Sequence, residues 1–171
     1  MLKSLAAWLG VKEPAATPDR GPLRDVIDAL DRFEPGRAQY LARFAYLLGR
    51  VARADDHISD EETRAMEAII VDHGGLPSDQ ARLVVSLAKT SHTMFGASAD
   101  FAVTQEFTDS ASYEDRLALA RCLFAVAASD ERISIAEEAE LHRITNQLRI
   151  EGPALVKLRV EHRRFLPGLS G

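Results

Sequence analysis

The chain carries one stretch twice. Residues 51–62 return as residues 126–137, at an offset of 75 positions and without a gap. Val51 aligns with Val126, Asp55 with Asp130, Ile58 and Ser59 with Ile133 and Ser134, and Glu62 with Glu137. The same register places Met66 on Leu141 and Ile69 on Ile144. A repeat of this kind is one supersecondary unit used twice, and it constrains the fold before any local propensity does. It also gathers carboxylates at two corresponding places.

The apolar spacing names the unit. Leu41, Phe44, Ala45 and Leu48 fall at i, i+3, i+4 and i+7, which predicts a helix over 37–54 with one buried face. Its counterpart spans 113–128, with Leu117, Ala120, Phe124 and Ala127 inward. A tight acidic corner follows each. A second helix then runs over 60–73, with Met66, Ile69 and Ile70 inward, and over 135–148, with Leu141, Ile144 and Leu148 inward. Gly74 and Gly75 end the former as a left-handed cap would. The connecting segments 78–94 (Leu83, Val84, Leu87 and Ala88 inward, Ser78 as cap) and 99–107 (Phe101, Val103, Phe107) suit helices, and another begins at Pro153 with Leu155, Val156, Leu158 and Phe165 as its apolar set. No alternating strand of useful length is present. The expected fold is all-α: a single compact bundle of about seven to eight helices built from two helix–acidic corner–helix units.

Residues 12–22 hold three prolines and read as a linker, so the expected organisation is a short helix and flexible linker over 1–21 and the helical domain over 22–171. Leu23, Val26, Ile27 and Leu30 begin that domain, and Pro35 with Gly36 stops their helix. At the N-terminus Leu2, Leu5, Trp8 and Leu9 sit at helical spacing. That face suits docking on the chain's own domain, or a partner or membrane surface. The run is short and lacks a clear cleavage site, so no secretory leader is indicated, and nothing approaches the ~20 apolar residues of a membrane span. The net charge of −5 argues against general nucleic-acid binding, although Arg159 to Arg164 form a local basic stretch. The one cysteine, Cys122, sits in an apolar run and reads as a small buried hydrophobe.

Each corner contains Ile-Ser with a glutamate three residues after the serine, the spacing of a capping box: Ser59 with Glu62 and Ser134 with Glu137. Capping explains those two acids without a ligand. The remaining acids invite a second reading. Asp55, Asp56, Asp60, Glu61 and Glu62 crowd one corner; Asp130, Glu131, Glu137 and Glu138 crowd the other. A hard divalent cation such as calcium or magnesium would relieve their repulsion. The spacing matches only the second half of an EF-hand loop, because Val51, Arg53, Val126 and Ala128 occupy the earlier ligand positions. Arg53, Arg64, Arg132 and His142 are local countercharges, with Asp60–Arg64 and Glu138–His142 at i, i+4. The candidate cation ligands are therefore Asp55, Asp56, Glu62, Asp130, Glu131 and Glu137.

A hydrophobic helix, then an acidic corner of the form Ala-Asp-Gly-x-Ile-Ser-x-Glu-Glu, then an amphipathic helix, occurring twice, resembles the TerB family of tellurite-resistance proteins. The match is good over residues 54–62 and looser over 129–138. It covers about 25–160 of the chain. A similar fold forms a region of the DjlA type of co-chaperone, but the His-Pro-Asp of a J-domain is absent here. The resemblance implies a helical bundle without enzymatic activity, a metal-binding acidic surface, and a cytoplasmic role in bacterial stress response beside a protein partner, often a membrane-associated one. Carried over residue by residue, the cation positions it implies are Asp55, Glu62, Asp130 and Glu137. The family glycine is Asp56 in one unit and Glu131 in the other; aspartate tolerates positive φ better than glutamate, so the second corner is expected to differ in loop shape.

The five histidines, His57, His73, His92, His142 and His162, make no paired metal motif, and His73 suits the end of its helix. No phosphate-cradling glycine loop or nucleophile elbow is present. The expectation is a non-enzymatic module with no certain cofactor. Its rivals are a purely structural interaction module without metal and a peripheral membrane adaptor using the N-terminal helix.

Overall fold

A long helix that is buried nearly all the way around organises the molecule. The computed structural model describes residues 5–10, 21–52, 59–91, 97–129 and 132–167. Among them lie nine α-helices: α1 (Leu5–Leu9), α2 (Gly21–Leu30), α3 (Pro35–Ala52), α4 (Asp60–Gly74), α5 (Ser78–Ser91), α6 (Ala97–Ser110), α7 (Tyr113–Ala128), α8 (Ile135–Gln147) and α9 (Gly152–Glu161). A short 3-10 turn, Arg163–Phe165, follows. No described residue is in a strand. The all-helical bundle expected from the sequence is therefore the observed fold, its nine helices including the five-residue α1.

The central helix is α3, which packs on α1, α5, α6, α7 and α8. Its buried set runs from Leu41 to Val51 without a break and includes Arg43, Tyr46, Gly49 and Arg50 beside the apolar residues. The two repeat units interlock rather than fold separately. The second helix of the first unit, α4, packs on α7, the first helix of the second unit; reciprocally α8 packs on α3. Each unit thereby buries its apolar stripe against the other, which is why one copy would not suffice.

Local signals place most boundaries. Gly75 takes φ +67° and closes α4 in the left-handed conformation. Ser112 caps α7, accepting from Asp115 N. Ser78 is the first residue of α5 rather than its cap: Pro77 carries the first helical carbonyl, accepting from Ala81 N at 2.9 Å. The linker expected over 12–22 falls largely on residues 11–20, outside the described residues, as does the far end of the helix expected over 78–94.

The apolar sets read from the sequence are divided between core and surface. Phe101 on α6 is 58% exposed. The buried face of α6 instead carries Val103, Thr104, Phe107 and Thr108, half of them polar. On α9, Leu158 is buried but Val156 points outward, and Phe165 belongs to the following 3-10 turn. Ile69 on α4 is only partly buried, while Met66 and Ile70 face the core as expected. The N-terminal α1 lies against α3, with Leu5, Trp8 and Leu9 each no more than 2% exposed.

Candidate functional site

The helices that leave the two corners, α4 and α8, begin alike. Ser59 is extended (φ −71°, ψ 166°); its Oγ accepts from Glu62 N at 3.1 Å, and its own N–H donates to Glu62 Oε2 at 3.0 Å. Ser134 repeats this (φ −71°, ψ 163°), with Oγ accepting from Glu137 N at 3.1 Å and its N–H donating to Glu137 Oε1 at 3.3 Å. Both are the capping boxes expected from Ser-x-x-Glu, each worth about 1 kcal/mol. Ile133 is fully buried, and its N–H donates to Phe165 O at 2.8 Å, which ties the second corner to the 3-10 turn.

Of the six candidate cation ligands, Glu62 and Glu137 therefore each give one carboxylate oxygen to a backbone N–H. Asp55, Asp56, Asp130 and Glu131 lie outside the described residues, together with Arg53, His57, Ile58 and His92. Among the described residues no group of three or more histidine, cysteine or carboxylate side chains is placed to hold a metal, and α4 and α8 are not principal packing partners. Hard cations need several oxygens converging on one point; the described carboxylates do not supply that. Asp60 and Glu61 stand exposed on the first turn of α4, where negative charge interacts well with the helix dipole. Glu138 does not pair with His142 as its spacing allows: its Oε1 takes Arg159 Nη2 at 2.7 Å, and His142 Nε2 lies 3.2 Å from Asn146 Nδ2.

The densest polar cluster lies elsewhere, where α3 meets α6 and α8. The Arg50 side chain is 5% exposed. Its Nε and Nη2 each lie 2.6 Å from Glu140 Oε1, and Nη1 donates to Thr104 Oγ1 at 2.9 Å and Gln147 Oε1 at 3.2 Å. Asp100 Oδ2 is 3.9 Å from Arg50 Nε, while Asp100 Oδ1 accepts from Tyr46 OH at 2.5 Å. Arg143 Nη1 completes the second oxygen of Glu140 at 2.6 Å. A buried charge is tolerated when paired and hydrogen-bonded, and every Arg50 guanidinium nitrogen has a partner. One helical face further back, Arg43 is held less fully: Nη1 donates to Ser110 Oγ at 3.3 Å, Glu106 Oε2 is 3.7 Å from Nη2, and Nε has no acceptor among the described residues. Burial pushes the Arg43 guanidinium below its ordinary pKa, with Glu106 opposing.

Sequence reasoning missed this cluster. Arg50 sits in the last turn of its helix, where a cation ordinarily serves the dipole. The one available signal was a break in the repeat: the positions equivalent to Arg50 and Glu140 are Ala125 and Ala65.

Cys122 is buried as expected, and burial pushes its thiol up to about 12, too high to supply thiolate near neutrality. His73 occupies the last turn of α4. His162 lies over Phe124, ring centroids 5.6 Å apart, with Nδ1 3.0 Å from Leu158 O. No helix of the described residues is long and apolar enough to cross a membrane.

Comparison with known families matches residues 41–160 to the model described as tellurite resistance protein TerB. That span takes in both helix–corner–helix units. No curated protein and no solved structure matches the chain.

Proposed function

The chain belongs to the TerB family of tellurite resistance proteins, and from that premise we propose that it is a non-enzymatic stress-response adaptor of the bacterial cytoplasm. It acts through the acidic surface of its two corners. The supporting observation is the capping box that opens both α4 and α8 and leaves Asp60 and Glu61 exposed on the first turn of α4. These acids suit a basic segment of a partner protein. A divalent cation, calcium or magnesium, competes with that segment through Asp55, Asp56, Asp130 and Glu131, with Glu62 and Glu137 nearby in sequence.

A purely structural interaction module without metal is the second reading. It is favoured by the partners that Glu62, Glu137 and Glu138 already have within the fold. Attachment to a membrane through α1 would require that helix to leave α3, because its apolar face is in the core.

Thermal melts separate the first two readings. Melting is followed in chelator and then with calcium, magnesium, manganese and zinc in turn. A cation at about 100 times its dissociation constant adds about 2.7 kcal/mol, which is several degrees for a domain of this size. The expected result is a rise with one cation that the Asp55→Asn, Asp130→Asn double variant loses. No rise with any of the four rejects the cation and leaves the metal-free module.

A further inference from the structure

The C-terminal helix α9 is apolar on two sides and uses only one of them. Leu158 is buried, and Leu155 and Phe165 pack partly against the core. Val156 and Val160, one turn apart on the outer side, are 60% and 63% exposed. Single exposed apolar residues are ordinary on a protein surface, but a second apolar stripe on one short helix calls for a cover. Lys157 between these valines, and Arg163 and Arg164 on the 3-10 turn that follows, are exposed, with the Arg164 guanidinium over the Phe165 ring, 4.6 Å from its centroid. Among the described residues none of the three is in an ion pair, whereas Arg159 on the inner side is held by Glu138. Glu161 is the one exposed acid within the stripe. A basic, partly apolar face thus stands on a molecule whose net charge is −5.

We propose that the outer face of α9 and the 3-10 turn is a docking surface for a short acidic, amphipathic segment of another protein. Charge selects an acidic occupant. Size selects a short one: a ten-residue helix is about 15 Å long and about 10 Å across, so one face offers on the order of 150 Å², well below the ~800 Å² per partner that a stable dimer buries. An anionic bilayer would meet a wider area of a negatively charged molecule, which opposes it. A helical segment laid along α9 places apolar residues at i and i+4 on Val156 and Val160, and its carboxylates meet Lys157, Arg163 and Arg164. This surface is separate from the acidic corners and has the opposite sign.

The test uses the full chain and a fluorescently labelled helix-forming peptide with leucines at i, i+4 and glutamates flanking them, titrated by anisotropy. Binding is expected to weaken with salt. It should fall about tenfold or more, at least 1.4 kcal/mol, in the Val156→Ser, Val160→Ser variant and in the Arg163→Glu, Arg164→Glu variant. The Asp60→Asn, Glu61→Gln variant should bind as the parent does, which separates this surface from the corners. The two α9 variants act by different chemistry, and melting curves check that each is folded. The proposal is overturned if the peptide binds no better than its lysine-for-glutamate counterpart, or if neither α9 variant weakens it. It is equally overturned if the valine variant abolishes sedimentation with phosphatidylglycerol vesicles while the peptide does not bind, which assigns the face to a membrane. Concentration-dependent self-association lost in the valine variant would assign it to a second copy.

Discussion

Two contacts in this molecule are related by its repeat, and they are solved differently. Where α4 meets α7 the chain uses small residues and close approach. Gly74 ends α4 so near α7 that a Cβ there would lie 3.1 Å from Cys122 Sγ and 3.4 Å from Phe44 Cζ. Ala65 and Ala125 add little bulk. Where α8 meets α3 the contact is less extensive, and the equivalent positions hold Glu140 and Arg50, joined at 2.6 Å. The difference traces to α6, which packs on both α3 and α8 and covers Arg50 with Thr104. At the other contact Ala125 is half-buried and Ala65 exposed, so an ion pair there would gain nothing from burial. A duplicated unit need not keep duplicated chemistry: the extra helix on one side decides which interface is dry enough for a buried charge to matter.

The sharpest way to break this comparison is to remove Arg50. Arg50→Ala leaves Glu140 and Asp100 without their buried cation, and breaking one side of such a pair costs about 3–5 kcal/mol. Arg143 still serves Glu140 and Tyr46 still serves Asp100, so the lower end of that range is expected. The double change Arg50→Met with Glu140→Leu should recover most of the loss, because apolar side chains of similar volume replace a buried ion pair at small cost. Urea unfolding of the three proteins checks this. A double variant as unstable as the single one would mean that Arg50 matters for something other than its charge.

The opposite contact breaks through size. Gly74→Ala gains up to about 1 kcal/mol of helix propensity but forces the new methyl toward Cys122 Sγ, and overpacking costs about 1–3 kcal/mol. The expected net loss is about 1 kcal/mol. Cys122→Ala removes the obstructing sulfur, so the pair of changes should be non-additive by about 1 kcal/mol in a double-mutant cycle. Additivity to within about 0.5 kcal/mol would show that the close approach of α4 to α7 does not depend on this glycine.

The two contacts also differ in how visible they are in sequence. The capping boxes, the stripes of α3, α7 and α8, and the cap at Gly75 were all legible, because each follows from a local spacing. The α3–α6 face was not. On α6 the inward positions are Val103, Thr104, Phe107 and Thr108, and Thr104 and Thr108 return their hydroxyls to Asp100 O and Thr104 O, 2.7 and 2.9 Å away. A threonine that satisfies its own hydroxyl along the helix can be buried, yet it interrupts the apolar period that marks a buried face. Arg43 and Arg50 are concealed in the same way on α3, since the acceptors of their hydrogen bonds lie 54 to 97 positions away. The basic outer face of α9 was legible as charge in the stretch Arg159 to Arg164, but which residues point outward was not: Arg159 turns in to Glu138, and Val156 turns out.

The smallest expected effect concerns the ends of the two second helices, and it runs toward stability. α4 ends on Gly75 at φ +67°, a conformation glycine adopts at no steric cost. α8 also closes through a residue of positive φ, with Ile150 N donating to Thr145 O at 3.2 Å and Arg149 N to Asn146 O at 3.1 Å. The left-handed residue there is Arg149, at φ +54°. An arginine in that region carries about 1 kcal/mol of strain, part of which glycine would return to the greater freedom of the unfolded chain. Arg149→Gly should therefore stabilise by about 0.5 kcal/mol, read as a small rise in the urea midpoint without a change in slope. Gly75→Arg should lose about 1 kcal/mol, placing in the first unit the strain that the second already carries. A loss in Arg149→Gly instead would show that the arginine side chain contributes more at the α8 terminus than its backbone conformation costs.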